Sequence, residues 1–432
     1  MGMASGESER IRRLIKLNKG SHIMETEIHN KLASAAQKFG LNISGGQVRR
    51  SSSRFCFGVE HGDYNGMELF GVGTDRFIWL AFKPNDLGRV RIFSENFPEG
   101  GIIDFALGED CEPGELQDSW ARFPRGVESI LRREGYALTT GFDAVLYGNI
   151  PGGGMSRSAS LALNLVLTFF EVNGIEREGG MRIVDLAQMV ETDYIGSPCG
   201  KLDQIMIYFA KEGMGTYFNP NKGTIDHIPF GGNADDFRIV SLDTGTKRPG
   251  LEKSTYKIRR DECDELKALL HEKFGYASLA EVSTPEKYAE AVQYLKDVAP
   301  ASIGRLKYLH EAQTRFAETL EAWRRGDIEL VGKNFRADGY GLRDDYVISG
   351  PELETMCDIA RTVVGVYGER MLGGGDKGAS GALIQADAFN ALKAVVESDY
   401  PRRHPNFAEE FAIHSCRTVD GIISGPLLVS NV

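Results

Sequence analysis

Apolar residues recur at helical spacing over residues 24–39, near Ser119 to Glu134, from Ala159 to Asn173 and from Arg182 to Ile195. Between Val48 and Lys83 the pattern changes to alternating apolar and polar positions set among glycines, the period of strands. A further strand, Gly141 to Tyr147, runs straight into a glycine-rich loop, and Gly174 ends the helix after that loop. Helical spacing breaks at Gly196-Ser197-Pro198 and returns from Gly200 to Lys211. Strand-like segments at Gly215 to Phe218 and Arg238 to Asp243 lead to predicted helices over Lys257 to Phe274, Gly304 to Arg325 and Pro351 to Val364. The run Gly373-Gly374-Gly375 then precedes a strand, Gly381 to Ala386, and a helix, Phe389 to Ser398. No repeat of 20–50 residues is visible. Asn, Pro, Gly and Asp concentrate between residues 219 and 236, which places a domain border there and predicts units over 24–225 and 226–432.

Composition changes this picture in two places. Fifty-one glycines against 15 prolines, clustered in short runs without a collagen period, point to tight backbone sites. Acidic residues outnumber basic ones 61 to 50, so no overall positive field is available to hold nucleic acid or an anionic membrane surface. The six cysteines are scattered, with no Cys-x-x-Cys pair and no histidine spacing suited to zinc, and read as free thiols. No segment approaches the roughly 20 apolar residues of a membrane span, so the expected location is cytoplasmic. Residues 1–23 carry no candidate chemistry.

The strand-to-helix loop Pro151-Gly152-Gly153-Gly154-Met155-Ser156-Arg157-Ser158-Ala159 is the first chemical candidate. Backbone N–H groups at a helix start attract anions, and glycines let the backbone approach phosphate oxygens closely. Ser156 and Ser158 add hydroxyls that can reach a phosphate or a magnesium ion. The Gly-Lys-Ser/Thr ending of a P-loop is absent, as is a dinucleotide fingerprint. Taken alone, the loop is equally an ordinary turn.

Two acidic segments accompany it. Arg54 to Gly66 packs Glu60, His61 and Asp63 into a turn whose carboxylates suit the vicinal hydroxyls of a neutral polyol. Glu191 to Gln204 sets a glutamate before a Pro/Gly break and Asp203 after it, one candidate metal ligand and one candidate base. Each also reads as a solvated turn or a helix cap.

Taken in order, these segments resemble the galactokinases of the GHMP family of small-molecule kinases. Arg54 to Gly66 is similar to the family's first signature, Pro151 to Ala159 to its glycine-rich signature, and Cys199-Gly200-Lys201-Leu202-Asp203-Gln204 to its catalytic segment. Tyr256 to Cys263, Leu342 to Tyr346, and Tyr367 to Met371 with Gly373-Gly374-Gly375 extend the likeness. The resemblance implies an α+β fold of two domains, an N-terminal ribosomal-protein-S5-domain-2-like unit and a C-terminal ferredoxin-like unit, with the active site in the cleft between them. It implies that Glu60, His61, Asp63, Gly200 and Tyr256 hold the sugar and that Gly152, Gly153, Gly154, Met155, Ser156, Arg157 and Ser158 cradle ATP. It further implies that Ser158 and Glu191 ligate Mg2+ and that Asp203 is the base with Arg54 as its partner. The expected reaction is phosphorylation of the anomeric hydroxyl of galactose or a close relative. The expected partners are that sugar and ATP, without nucleic acid or membrane, in a monomer or weak homo-oligomer.

The sequence departs from the family pattern at Val59, Gly62 and Met67, none of them a sugar-binding side chain. It departs more sharply at Arg157, which replaces the middle serine of the loop, at Lys201, and at Asp376-Lys377. Arg157 is open to two readings, binding a phosphate oxygen or pointing to solvent. Lys201 or Arg157 as a carboxylate partner keeps galacturonate, alongside amino sugars, as an alternative substrate. A non-catalytic sugar sensor and a mevalonate-type kinase are the competing readings. The sensor is disfavoured because Ser158-Ala159, Asp203, Arg54 and Glu191 all stand.

Overall fold

The computed structural model describes residues 24–116, 119–247 and 254–429. A helix over residues 24–39 (α1) leads into the long antiparallel hairpin of β1 (Gln47–Gly58) and β2 (Leu69–Asn85). Next come β3 (Arg89–Ser94), β4 (Ile102–Ala106), α2 (Arg122–Arg133) and β5 (Gly141–Gly148). The loop predicted to hold phosphate follows, then α3 (Arg157–Val172), α4 (Gly180–Met189), α5 (Leu202–Tyr208), β6 (Met214–Asn219), β7 (Thr224–Pro229) and β8 (Phe237–Asp243). Five helices occupy the middle of the second half: α6 (Thr255–Phe274), α7 (Pro285–Val298), α8 (Ile303–Arg325), α9 (Ile328–Asp344) and α10 (Pro351–Arg361). The chain closes with β9 (Val366–Met371), β10 (Ala379–Gln385), α11 (Phe389–Arg403), β11 (Ala412–Cys416) and β12 (Ile422–Pro426).

Two sheets result. The first runs β12-β1-β2-β5-β3-β4, with the β6–β7 hairpin attached to β2, and its parallel pair is β3 with β5. One face is covered by α1 through Leu32 and Ala35 against Trp79 and Val145, and the other by α2 and α3. The second sheet has the order β11-β8-β10-β9, all antiparallel; along the chain, helices α6 to α10 lie between β8 and β9, and α11 lies between β10 and β11. That is the β-α-β-β-α-β plan of a ferredoxin-like unit. Its outer face packs Val240, Leu242 and Ile384 on Met356 of α10 and Leu392 of α11, as a strand's period of two requires. The α+β class and two-sheet plan agree with the expectation from the resemblance. The first sheet also takes in β7, which crosses the expected 225/226 border, and β12 from beyond the second sheet.

One buried polar seam aligns the elements that matter for chemistry. Ser160 on α3 donates to the Ser51 carbonyl of β1 at 3.2 Å, and Ser51 Oγ donates to the Ser160 carbonyl at 3.0 Å. Asn164 donates to the Arg49 carbonyl at 3.2 Å, and Arg49 donates to Thr168 Oγ1 at 2.6 Å. Buried groups left unpaired would cost more than these bonds contribute, so the seam fixes the register of α3 on β1. The loop before α3 is thereby set beside Arg54 on β1.

Candidate active site

The loop backbone is folded against a second glycine turn. A Cβ built on Gly153 would lie 2.5 Å from Gly378 Cα, and one on Gly373 would lie 3.1 Å from Gly154 Cα. The 151–158 and 373–378 turns therefore touch backbone to backbone, an approach that only glycine allows. Ser156 takes the left-handed conformation (φ 61°) immediately before α3, and its buried Oγ makes no hydrogen bond within the described residues. A strained non-glycine residue with an idle buried hydroxyl at a helix start belongs to a binding site more readily than to a plain connection.

Around this loop is a cavity of about 240 Å³. Its apolar wall is Ile78, Phe97, Trp120, Phe123, Leu146 and Leu161, and its polar wall is the loop itself with Ser158, Glu191 and Asp203. Met155 is the exception within the predicted loop set, because its side chain is fully buried in the core and it does not line the cavity. Arg157 lines the mouth, with its guanidinium 5.7 Å from the centre of the Phe97 ring. Asp243, at the end of β8, accepts from the Gly152 N–H at 3.3 Å; sequence reasoning missed it, since a lone acid at a strand end carries no distinguishing signal.

Glu191 sits on a single wide turn, Val190–Tyr194, that prolongs α4 with a bond from the Ile195 N–H to the Val190 carbonyl. Such turns occur often at functional sites. Its carboxylate accepts from Gln204 Nε2 at 3.0 Å and from the Ser158 hydroxyl. Burial and then the nearby Asp203 carboxylate push it up to about 7, the two hydrogen bonds opposing. A buried carboxylate bonded to a hydroxyl, both oxygen donors facing the loop, suits a hard cation such as Mg2+. Among the described residues no group of three or more His, Cys, Asp or Glu could hold a metal ion.

A second, smaller cavity is lined by Glu60, His61, Asp63, Gly200 and Tyr256, all five predicted sugar contacts. Glu60 and His61 are about 3% exposed. His61 Nδ1 lies 3.0 Å from Tyr64 Oη, and its ring stacks on Tyr346 at 4.9 Å. Asp63 accepts from the Leu202 N–H at 3.1 Å. Burial first, and then the Asp203 and Glu60 carboxylates, raise it to about 6 against the lowering effect of that N–H. A Cβ on Gly200 would fall 2.0 Å from Asp63 Oδ2, so Gly200 acts by leaving room for that carboxylate.

Arg54 and Asp203 stand on the wall common to both cavities, with Cys199, Gly373 and Gly374. Arg54 is 2% exposed; its Nε donates to Asp203 Oδ1 at 2.8 Å, its Nη1 to the Gly154 carbonyl at 3.2 Å, and its Nη2 to Glu60 Oε1 at 3.3 Å. Burial opposes the guanidinium charge, but Asp203 and Glu60 outweigh it and raise its pKa. Asp203 keeps about a third of its side chain exposed to the shared space. Lys201 is not in this space as a free charge: it turns to Asp185 on α4 at 2.6 Å. Lys377 lies 3.8 Å from Glu352. Of the two residues named for the uronic acid alternative, Lys201 lines neither cavity and Arg157 lines only the glycine-loop cavity.

Residues 123–211 match the family model described as GHMP kinases N terminal domain, a span that contains the loop, Glu191 and Asp203. Galactokinase of Clostridium beijerinckii is 31% identical over 345 residues, 79% of this chain and 86% of that one. Galactokinase of Streptococcus mutans is 32% identical over 342 residues, 79% and 85% of the two chains. Among solved structures, Lactococcus lactis galactokinase complexed with galactose matches with a TM-score of 0.82 at 25% identity, covering 92% of this chain and all of that one. The Methanococcus jannaschii mevalonate kinase shares the fold, with a TM-score of 0.61 at 16% identity over 87% and 98% of the two chains. Identity of this extent, with the whole fold kept and the glycine loop inside the matched N-terminal region, makes the chain a member of the galactokinase family of GHMP kinases, a phosphotransferase.

Proposed function

We propose that this protein transfers the γ-phosphoryl group of ATP to the anomeric hydroxyl of galactose. The observation that carries the reading is the shared wall: Asp203 and Arg54 border both the glycine-loop cavity and the acidic cavity. A phosphoryl donor in one and a hydroxyl acceptor in the other meet only there.

In this reading the sugar binds among Glu60, His61, Asp63 and Tyr256, whose acceptors outnumber the cations beside them. A neutral hydroxyl-rich ring satisfies those acceptors, whereas a uronate would set its carboxylate against Glu60, Asp63 and Asp203. Asp203 accepts the proton of the attacking hydroxyl as the new O–P bond forms and the bond to the β-phosphate oxygen breaks, releasing ADP. Arg54 orients that carboxylate through two nitrogens and compensates its charge, and its tie to the Gly154 carbonyl keeps base and loop in one frame. The loop amides of Gly152 to Gly154 and the α3 start receive the phosphates, with Ser156 supplying its idle hydroxyl. Ser158 and Glu191 would hold Mg2+, whose chemistry when bound is to neutralise phosphate charge.

The test is ADP release by the purified chain with magnesium and ATP across galactose, galactosamine, galacturonate, glucose and mevalonate. Turnover greatest with galactose is expected, and NMR of the product should place the phosphate on the anomeric oxygen. Turnover confined to mevalonate, or sugar binding without turnover, refutes the reading.

A further inference from the structure

Glu60 is gripped from a second side. Arg370 on β9 is fully buried, and its Nη1 donates to Glu60 Oε2 at 3.1 Å while its Nη2 donates to the Cys56 carbonyl of β1 at 2.9 Å. The guanidinium lies 4.4 Å from the centre of the Phe335 ring. Helix α9 passes so closely that a Cβ on Gly339 would fall 2.6 Å from Arg370 Cβ. The arginine thus has its position fixed on three sides. Charges alternate along Asp203, Arg54, Glu60 and Arg370, two carboxylates and two guanidinium groups, with one guanidinium from each sheet.

Arg370 lines neither cavity, so it can act on substrate only through Glu60. With one oxygen facing Arg54 and the other facing Arg370, the Glu60 carboxylate is held in a single orientation toward the acidic cavity. Without Arg370, Arg54 would serve two carboxylates alone, and the buried Glu60 would lose its nearer cation. We propose that Arg370 is a positioning residue for sugar recognition: it fixes Glu60 as a hydrogen-bond acceptor for a sugar hydroxyl and makes sugar affinity depend on the second sheet. The inference rests on the sugar-kinase reading above. Lysine at this position offers a point charge that cannot reach Glu60 and the Cys56 carbonyl in the same forked geometry.

The experiment uses the full chain with Arg370→Gln, Arg370→Lys, Glu60→Gln and the Arg370→Gln/Glu60→Gln pair. Galactose affinity is measured by calorimetry without nucleotide, alongside kcat, both KM values and melting temperature. Arg370→Gln should weaken galactose roughly 10- to 100-fold with the KM for ATP unchanged. Arg370→Lys should recover part of the loss, and the double variant should lose less than the two single losses combined. A folded Arg370→Gln protein with wild-type galactose affinity overturns the proposal. So do sugar and ATP constants that worsen in parallel with the melting temperature, the mark of a purely structural arginine. Should Arg370→Gln fail to fold, unchanged galactose affinity in both Arg370→Lys and Glu60→Gln overturns it equally. Wild-type protein that binds no neutral monosaccharide removes the functional reading together with this one; wild-type binding with unaltered variants removes this one alone.

Discussion

Asp203 is the residue on which the proposed chemistry turns, because it combines a carboxylate, partial exposure to the shared space and a guanidinium partner. Asp203→Asn keeps the shape and removes the base. It should lower kcat by roughly 10²- to 10⁴-fold while galactose affinity, measured by calorimetry, stays near wild type. Near-normal turnover would remove Asp203 from the role. Asp63 yields a second prediction through its raised pKa. A carboxyl that titrates near 6 in the folded chain, above its ordinary value of 3.8, binds its proton more tightly folded than unfolded. The stability it contributes is fully present below about pH 4 and is lost as pH rises through 6. Asp63→Asn never ionises, so its melting temperature relative to wild type, in ligand-free protein, should climb between pH 4.5 and 7.5. A difference that stays flat over that range would contradict the assigned environment.

At the scale of elements, the glycine loop acts through its fit against the 373–378 turn. Gly153→Ala would place a methyl group 2.5 Å from backbone, where no side-chain rotation relieves it. Overpacking of this kind costs about 1–3 kcal/mol, so the KM for ATP should rise roughly 10- to 100-fold in steady-state kinetics. Galactose affinity should hold, since Gly153 does not line the acidic cavity. The loop, its flanking strand and α3 were legible in sequence because glycines, a strand period and a helical period meet there. Helix α9 was not, because Gly332, Gly339 and Gly341 weaken its helical signal. In the fold these glycines admit Tyr367, Arg370 and Tyr308 at Cβ distances of 2.4–2.7 Å. Helix α7 went unread although its start carries a cap, Thr284 Oγ1 accepting from the Lys287 N–H, with Pro285 in the first turn. Of the five residues proposed to hold the sugar, Glu60, His61 and Asp63 stood out in one acidic turn, and Gly200 and Tyr256 only through the resemblance. Arg370 was not singled out, because its partner Glu60 is 310 residues away and no local pattern encodes that pairing.

At the scale of the whole molecule, the two sheets share one core. A single cluster joins Phe55, Phe57 and Phe70 of the first sheet's hairpin to Phe316 and Trp323 of α8, Phe335 of α9, and Ile239 and Leu383 of the second sheet. Phe55 stacks on Phe335 at 5.2 Å, and Phe57 lies 5.2 Å from Trp323. β12 adds a covalent return, leaving the second sheet to pair with β1 from Gln47 to Ser51, three residues before Arg54. A cut at 225/226 would split β7, remove β12 and expose these aromatic faces, since neither half buries them alone. The intact chain should therefore unfold in one calorimetric transition, with calorimetric and van't Hoff enthalpies in agreement. Residues 24–225 expressed alone should show neither a cooperative transition nor ATP binding. Two resolved transitions, or a folded nucleotide-binding fragment, would mean that the halves are independent domains. In that event Arg370 could not couple the second sheet to Glu60 as tightly as the shared core implies.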